Sequence, residues 1–188
     1  MLQKSIVKIR DAKASETEDI ANLHAMSWMS AYRGLLSDEY LDNNLQGERR
    51  KHWTEKMPAL TEKEFVLVAE QDGQLVGFVA VLDKPEAGFD VLVDNLHVRP
   101  DLKGLGIGGQ LLNAVAARLL ATNRKSFYLF VLKGNTFAEN FYLAKGGQQL
   151  DTLTHEFGGK VVQATRFAWE DLQGMAATPN SSNSSSSS

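Results

Sequence analysis

Apolar residues recur along this chain at two spacings, and the switches between them mark out its elements. Ser5 to Arg10 alternates polar with apolar positions and predicts an opening strand. Ser15-Glu16-Thr17-Glu18 has the form of a capping box ahead of Ile20, Leu23 and Met26 at helical spacing. Residues 34 to 63 are polar and mixed; Ser37-Asp38-Glu39 predicts a helix start, Arg49 to Lys56 a charged helical face, and Pro58 its end. Two β-rich runs, Phe65 to Glu70 and Leu75 to Leu82, flank an Asp72-Gly73 turn and predict a hairpin. Val91 to Val98 is a further strand, stopped by Pro100.

Leu111, Leu112, Val115, Leu119 and Leu120 then form one helical stripe, which predicts a helix from Gly108 to about Thr122. Phe127 to Leu132 is almost wholly apolar, as expected of a strand covered on both faces. Thr136 with Glu139 reads as a second capping box, opening a helix through Phe141 and Tyr142 that ends at Gly146-Gly147. Residues 148–157 and 160–169 flank Gly158-Gly159, a second hairpin signal. The predicted order is β-α-α-β-β-β-α-β-α-β-β, in one domain over residues 1–172, with 173–188 a flexible Ser/Asn-rich tail.

Composition narrows the chemistry. Twenty basic against 23 acidic residues, without a basic stripe, argue against a nucleic-acid partner. The absence of cysteine removes disulfides, thiolate metal sites and a covalent thiol intermediate, and fits a reducing compartment. No apolar stretch approaches the roughly 20 residues of a membrane span. A cytoplasmic location and no membrane partner are therefore expected. His24, His52, His97 and His155 are dispersed in sequence, and no metal is expected.

The densest chemical signal is Lys103-Gly104-Leu105-Gly106-Ile107-Gly108-Gly109, set between a strand and an amphipathic helix. Glycines there allow positive φ and let backbone amides converge on an anion at a helix start. Residues 104, 106 and 109 satisfy G-x-G-x-x-G, so a Rossmann-like NAD(P)-dependent oxidoreductase is one reading. Against it, Arg99 to Lys103 separate strand from glycine, and the next strand ends at Leu132-Lys133 with no acid. Gln110-Leu111 after Gly109 lacks the Lys and Ser/Thr of a P-loop. A tight turn that only lets a helix pack closely is the plainest alternative.

The same residues resemble the central motif of the GNAT superfamily of acetyl-CoA-dependent acyltransferases: a strand, a proline connection, then Arg/Gln-x-x-Gly-x-Gly/Ala opening a helix. Leu96-His97-Val98-Arg99-Pro100 and Lys103 to Gly108 correspond, with Lys103 where the family usually has Arg or Gln. Asn135-Thr-Phe-Ala138-Glu-Asn-Phe141-Tyr142-Leu-Ala-Lys-Gly146 resembles a second family block at the usual distance. The resemblance covers residues 4 to 170 and implies an α/β (α+β) fold: a mixed, mostly antiparallel sheet of six or seven strands, about four helices, and a splayed pair of parallel strands.

The resemblance further implies acetyl-CoA as acyl donor, an amine of a small molecule or peptide as acceptor, and direct attack in a ternary complex. It assigns Leu96, His97 and Val98, the stretch Lys103, Gly104, Leu105, Gly106, Ile107, Gly108 and Gly109, and Asn135 to the cofactor. Tyr142 is the implied acid for the departing thiolate, and a homodimer is compatible with the family. A lysine amine at about 10.4 is neutral in roughly one molecule in 2,500 at pH 7, so the acceptor decides whether a base is needed. Phe130 stands where some relatives place a glutamate; His97, Asp94 and Glu70 are the titratable candidates nearby. A non-catalytic acyl-CoA-binding module is the remaining alternative. Trp28, Tyr32 and Trp53 are candidate acceptor-wall aromatics or else fill helical interfaces in the core, and Asp38-Glu39 either favours a cationic amine or is a solvated helix start.

Overall fold

The computed structural model describes residues 5–157 and 160–177. Its elements follow the predicted order: β1 (Lys8–Asp11), α1 (Thr17–Ala31), α2 (Leu45–Ala59), β2 (Phe65–Gln71), β3 (Gln74–Leu82), β4 (Val91–Val98), α3 (Ile107–Ala121), β5 (Phe127–Leu132), α4 (Thr136–Ala144), β6 (Gln148–Phe157) and β7 (Lys160–Trp169). A short α5 (Gln173–Ala177) follows. The packed chain thus passes the boundary expected at 172: Ala176 N–H bonds Leu172 C=O at 2.8 Å, and Met175 and Ala176 pack on the core. The predicted Gly158-Gly159 turn lies outside the described residues.

The seven strands form one sheet in the order β1-β2-β3-β4-β5-β7-β6, antiparallel at every junction except β4–β5. A doubly wound dinucleotide fold needs a mostly parallel sheet, so the Rossmann reading falls on topology. Asp72 and Gly73 both take positive φ, 53° and 76°, the primed turn that suits the right-handed twist of β2 and β3. One sheet face carries α3 on a core of Leu67, Val79, Val93, Leu129 and Phe167; the other carries α1 and α2 on Val66, Val68, Phe78 and Ala80.

Two helix starts differ from expectation by a residue or two. Glu16, not Glu18, reaches back to cap: its carboxylate accepts the Lys13 N–H at 2.8 Å and is gripped by Arg10 at 2.9 and 2.8 Å, which holds it at about 2. Asn135, not Thr136, caps α4, its Oδ1 accepting the Ala138 N–H at 3.3 Å. Ser37 does accept the Tyr40 N–H at 3.2 Å, and a π-helical turn over Tyr40–Asn44 leads into α2.

The sheet feature that matters most is a seam. β4 and β5 pair only at Val91↔Phe127 and Leu92↔Tyr128, after which they part. At the same place β4 bulges: its register against β3 shifts between Val81↔Val93 and Ala80↔Asn95, leaving Asp94 as the extra residue. The bulge inverts the alternation, so Val91 and Val93 pack beneath α3, and beyond it Leu96 and Val98 still do so while His97 turns toward α1.

Candidate active site

The widening between β4 and β5 opens into a cavity of about 780 Å³. At one end is the glycine loop. Pro100–Leu102 makes a single 3₁₀ turn, held by Arg99 N–H to Val76 C=O at 2.8 Å and by the Arg99 guanidinium on Asp101 at 2.7 Å. Gly104 and Gly106 then take φ of 82° and 90°, a region that excludes most side chains, and Gly106 becomes the N-cap of α3. No side chain caps this helix, so the first-turn amides of Ile107, Gly108 and Gly109 lack intrahelical acceptors. A Cβ on Gly108 would sit 3.2 Å from Phe141 Cζ, and one on Gly109 3.0 Å from Lys145 Nζ. A side chain at 108 would push the Phe141 ring back by a few tenths of an ångström, whereas at 109 the flexible Lys145 end could move aside.

From that helix start the cavity follows β4. Arg99 N–H points at β3, and strand amides alternate in direction, so the backbone groups of Val98 and Leu96 face the side from which β5 has withdrawn. Of the residues expected at the cofactor, Leu96, His97, Val98, Lys103, Gly104, Gly106, Ile107, Gly108, Gly109 and Asn135 all line the cavity; Leu105 does not, and is 65% exposed. Lys103 is half-buried, its ammonium 5.3 Å over the Phe137 ring, and burial lowers its pKa. Asn135 Oδ1 accepts the α4 cap bond, which leaves its amide NH₂ to donate into the cavity.

Tyr142 lines the middle of the cavity, buried against Phe167 and Trp169. Burial, with Tyr32 nearby, holds its phenol above the ordinary tyrosine range. Its position is fixed by Gly147, whose N–H bonds the Tyr142 carbonyl at 2.9 Å and where a Cβ would collide with Trp169 at 2.6 Å.

The far end is walled by α1, α2 and the β4 bulge. Trp28 and Tyr32 line it; Trp53 does not, being fully buried with its Nε1–H donated to His24 Nδ1 at 2.9 Å. His97 is engaged at both nitrogens. Trp28 Nε1–H donates to its Nε2 at 3.2 Å, which puts the ring proton on Nδ1, 2.8 Å from Ser27 Oγ. Burial depresses its pKa to about 3. Of the three titratable candidates, Glu70 instead lies with Arg10 at 3.5 Å outside the cavity, and only Asp94 is both in the cavity wall and exposed.

Two expectations about this end are corrected. Asp38 is paired with Arg33 at 3.1 Å and, like Glu39, does not line the cavity, which fits the solvated helix start. The histidines, dispersed in sequence, are not all apart in space: the His24 and His97 rings lie 4.6 Å apart. Even so, no group of three His, Asp or Glu side chains among the described residues could hold a metal ion. Sequence reasoning also missed Arg49 and His52 on α2, which line this end together. Their helical spacing was visible, but nothing local indicated the face that turns inward.

An uncapped helix start suited to a diphosphate, an unpaired strand edge running from it, and a long cleft beyond suit an extended, phosphate-bearing carrier with room beside it for a second reactant. Comparison with known proteins agrees. The Acetyltransferase (GNAT) family profile matches residues 16–146, and the chain belongs to that family, whose acyl donor is acetyl-CoA. It is 24% identical over 177 residues to the uncharacterized N-acetyltransferase YuaI of Bacillus subtilis, spanning 93% of this chain and 99% of that protein. An uncharacterized N-acetyltransferase of Archaeoglobus fulgidus is 29% identical over 146 residues, 74% and 91% of the two chains. The fold matches the PaiA N-acetyltransferase of Thermoplasma acidophilum, solved in complex with coenzyme A, with a TM-score of 0.68, 21% identity, and 85% and 98% coverage. No helix among the described residues is long and apolar enough to cross a membrane.

Proposed function

We propose that the protein transfers the acetyl group of acetyl-CoA to the primary amine of a small molecule or peptide, both reactants being held in the one cavity. The observation that carries this reading is continuity: the cleft runs from the glycine loop, past Tyr142, to Asp94 and the α1–α2 wall. In this reading the amides of residues 107–109 and Lys103 hold the diphosphate, the outward backbone groups of Leu96 and Val98 pair with the carrier arm, and the Asn135 amide donates to it. Bound acetyl-CoA supplies a thioester carbonyl. With no cysteine in the chain, the amine is the nucleophile rather than a thiol of the enzyme.

Asp94 accepts a hydrogen bond from the incoming amine and, being exposed, passes the proton the amine sheds to solvent. Tyr142 stays protonated across the neutral range because burial raises its pKa, and it offers its O–H to the sulfur as negative charge builds there. A thiol of pKa about 8.5 is already a fair leaving group, so the loss on Tyr142→Phe should sit at the low end for acid catalysis, about 100-fold in kcat. Acetyl-CoA affinity, measured by calorimetry, should be unchanged. A Tyr142→Phe enzyme with wild-type turnover would remove the phenol from this role, and tight acetyl-CoA binding with no CoA release across a broad amine panel would favour a binding module.

A further inference from the structure

Resting on the reading above, we infer that the acceptor carries a carboxylate beside its amine, and that Arg49 and His52 select for it. Positions 49 and 52 are three apart on α2 and so share a face. Both side chains line the acceptor end of the cavity.

Arg49 is held rather than free to swing: its guanidinium lies 4.8 Å over the Trp28 ring with the side chain only 13% exposed. Its ion pair is a 3.1 Å contact to Glu48, a 46% exposed carboxylate that also accepts the Tyr40 phenol at 2.9 Å. Arg49 Nε and His52 Nε2 are both shielded from water and without a hydrogen-bond partner. Those two atoms lie behind the surface, and it is the partly exposed remainder of each side chain that meets the cavity; two such polar groups on one wall suit a ligand with acceptor oxygens.

The chemistry of that ligand follows from the groups present. A guanidinium offers only donors, in a fork that matches a carboxylate. His52 is neutral at pH 7, because burial and the Arg49 charge lower its pKa, and a neutral imidazole brings one further N–H. Asp94 of β4, which lines the same cavity as Arg49 and His52 of α2, opposes these effects on His52. Lys56 and Glu55 of α2 act on it more weakly and with opposite sign. An acceptor with an ammonium toward Asp94 and a carboxylate toward Arg49 satisfies both walls. A polyamine would bring a second cation against Arg49, which the site disfavours.

The test compares free amino acids with their carboxamides, which lack the carboxylate, alongside polyamines, and reads binding to the CoA-loaded protein as well as CoA release because the amide's amine is the weaker base. Acetyl-CoA binding by calorimetry comes first; a wild-type chain that does not bind it refutes the underlying reading of function. Given binding, the free acids should bind the CoA-loaded protein and release CoA at least tenfold better than the amides. Arg49→Gln should bring that ratio near one by raising the acceptor KM while leaving acetyl-CoA affinity intact, and Arg49→Lys should recover part of it. Should Arg49→Gln fail to fold, His52→Gln serves, with the ratio falling at least threefold. Amides or polyamines bound as well as the acids, no acid bound at all, or a ratio indifferent to both substitutions overturns the inference while acetyl-CoA binding leaves the functional reading standing.

Discussion

The two ends of the cavity are built on different principles. The glycine-loop end is backbone: consecutive residues, two positive φ values and a helix start, with side chains such as Phe141 and Lys145 packed over the places where a Cβ is missing. The acceptor end is side chains brought from α1, α2 and the β4 bulge, with Trp28, Arg49, His52 and Asp94 drawn from distant parts of the chain. A site made of backbone tolerates only changes that preserve conformation. One made of side chains can change specificity at single positions without disturbing the first, which is how one donor can serve many acceptors.

The largest expected effect breaks the backbone end. Gly106→Val forces a β-branched residue to φ of 90°, and the strain of about 1–3 kcal/mol should weaken acetyl-CoA binding roughly 10- to 100-fold by calorimetry. Unaltered affinity would show that the loop conformation is not what binds. A second experiment addresses the acceptor end through its buried imidazoles. His97 is held at about 3 and His24 well below its ordinary 6.5, so the unfolded chain takes up protons that the folded one refuses. Stability contributed here is complete above about pH 6.5 and lost as pH falls toward about 3. The thermal midpoint should drop by several degrees between pH 7 and pH 4, and His97→Gln should flatten that limb; an identical acid limb in the variant would exclude His97 as its source. The smallest effect sharpens the contrast: Lys103→Ala should weaken acetyl-CoA by about fivefold, near the upper end for a single ion pair that water still reaches, with Lys103→Arg restoring it.

The backbone end was legible in sequence because its signal is local. Glycines 104 to 109, the proline stop and the Asn135–Gly146 block are contiguous, and each spacing carries a conformational demand. The acceptor end was legible only as candidates. Asp94 looks like any strand carboxylate until the register shift opposite Ala80 and Val81 sets it in the cavity wall. Arg49 and His52 read as a solvated helical face because the packing of α2 against α1, not its own pattern, decides which face turns inward. The helix Gln173–Ala177 was missed for a related reason: it is too short for periodicity, and Met175 and Ala176 find their partners on the core across from them.

The two-rung junction of β4 with β5 also has a mechanical meaning. The sheet is a pair of plates, β1 to β4 and β5-β7-β6, stitched at one corner by Val91–Phe127 and Leu92–Tyr128. Helix α3 rides chiefly on the first plate, while α4 is anchored on the second through Tyr142 against Phe167 and Trp169. Where the helices meet, the bare backbone of Gly108 faces the Phe141 ring. A side chain there would press on that ring and push it back by a few tenths of an ångström. Glycine leaves backbone against ring at this contact, so the two plates, parted at the strands, are still held together by α3 and α4 over the one core that runs from Leu67 and Val93 to Leu129 and Phe167.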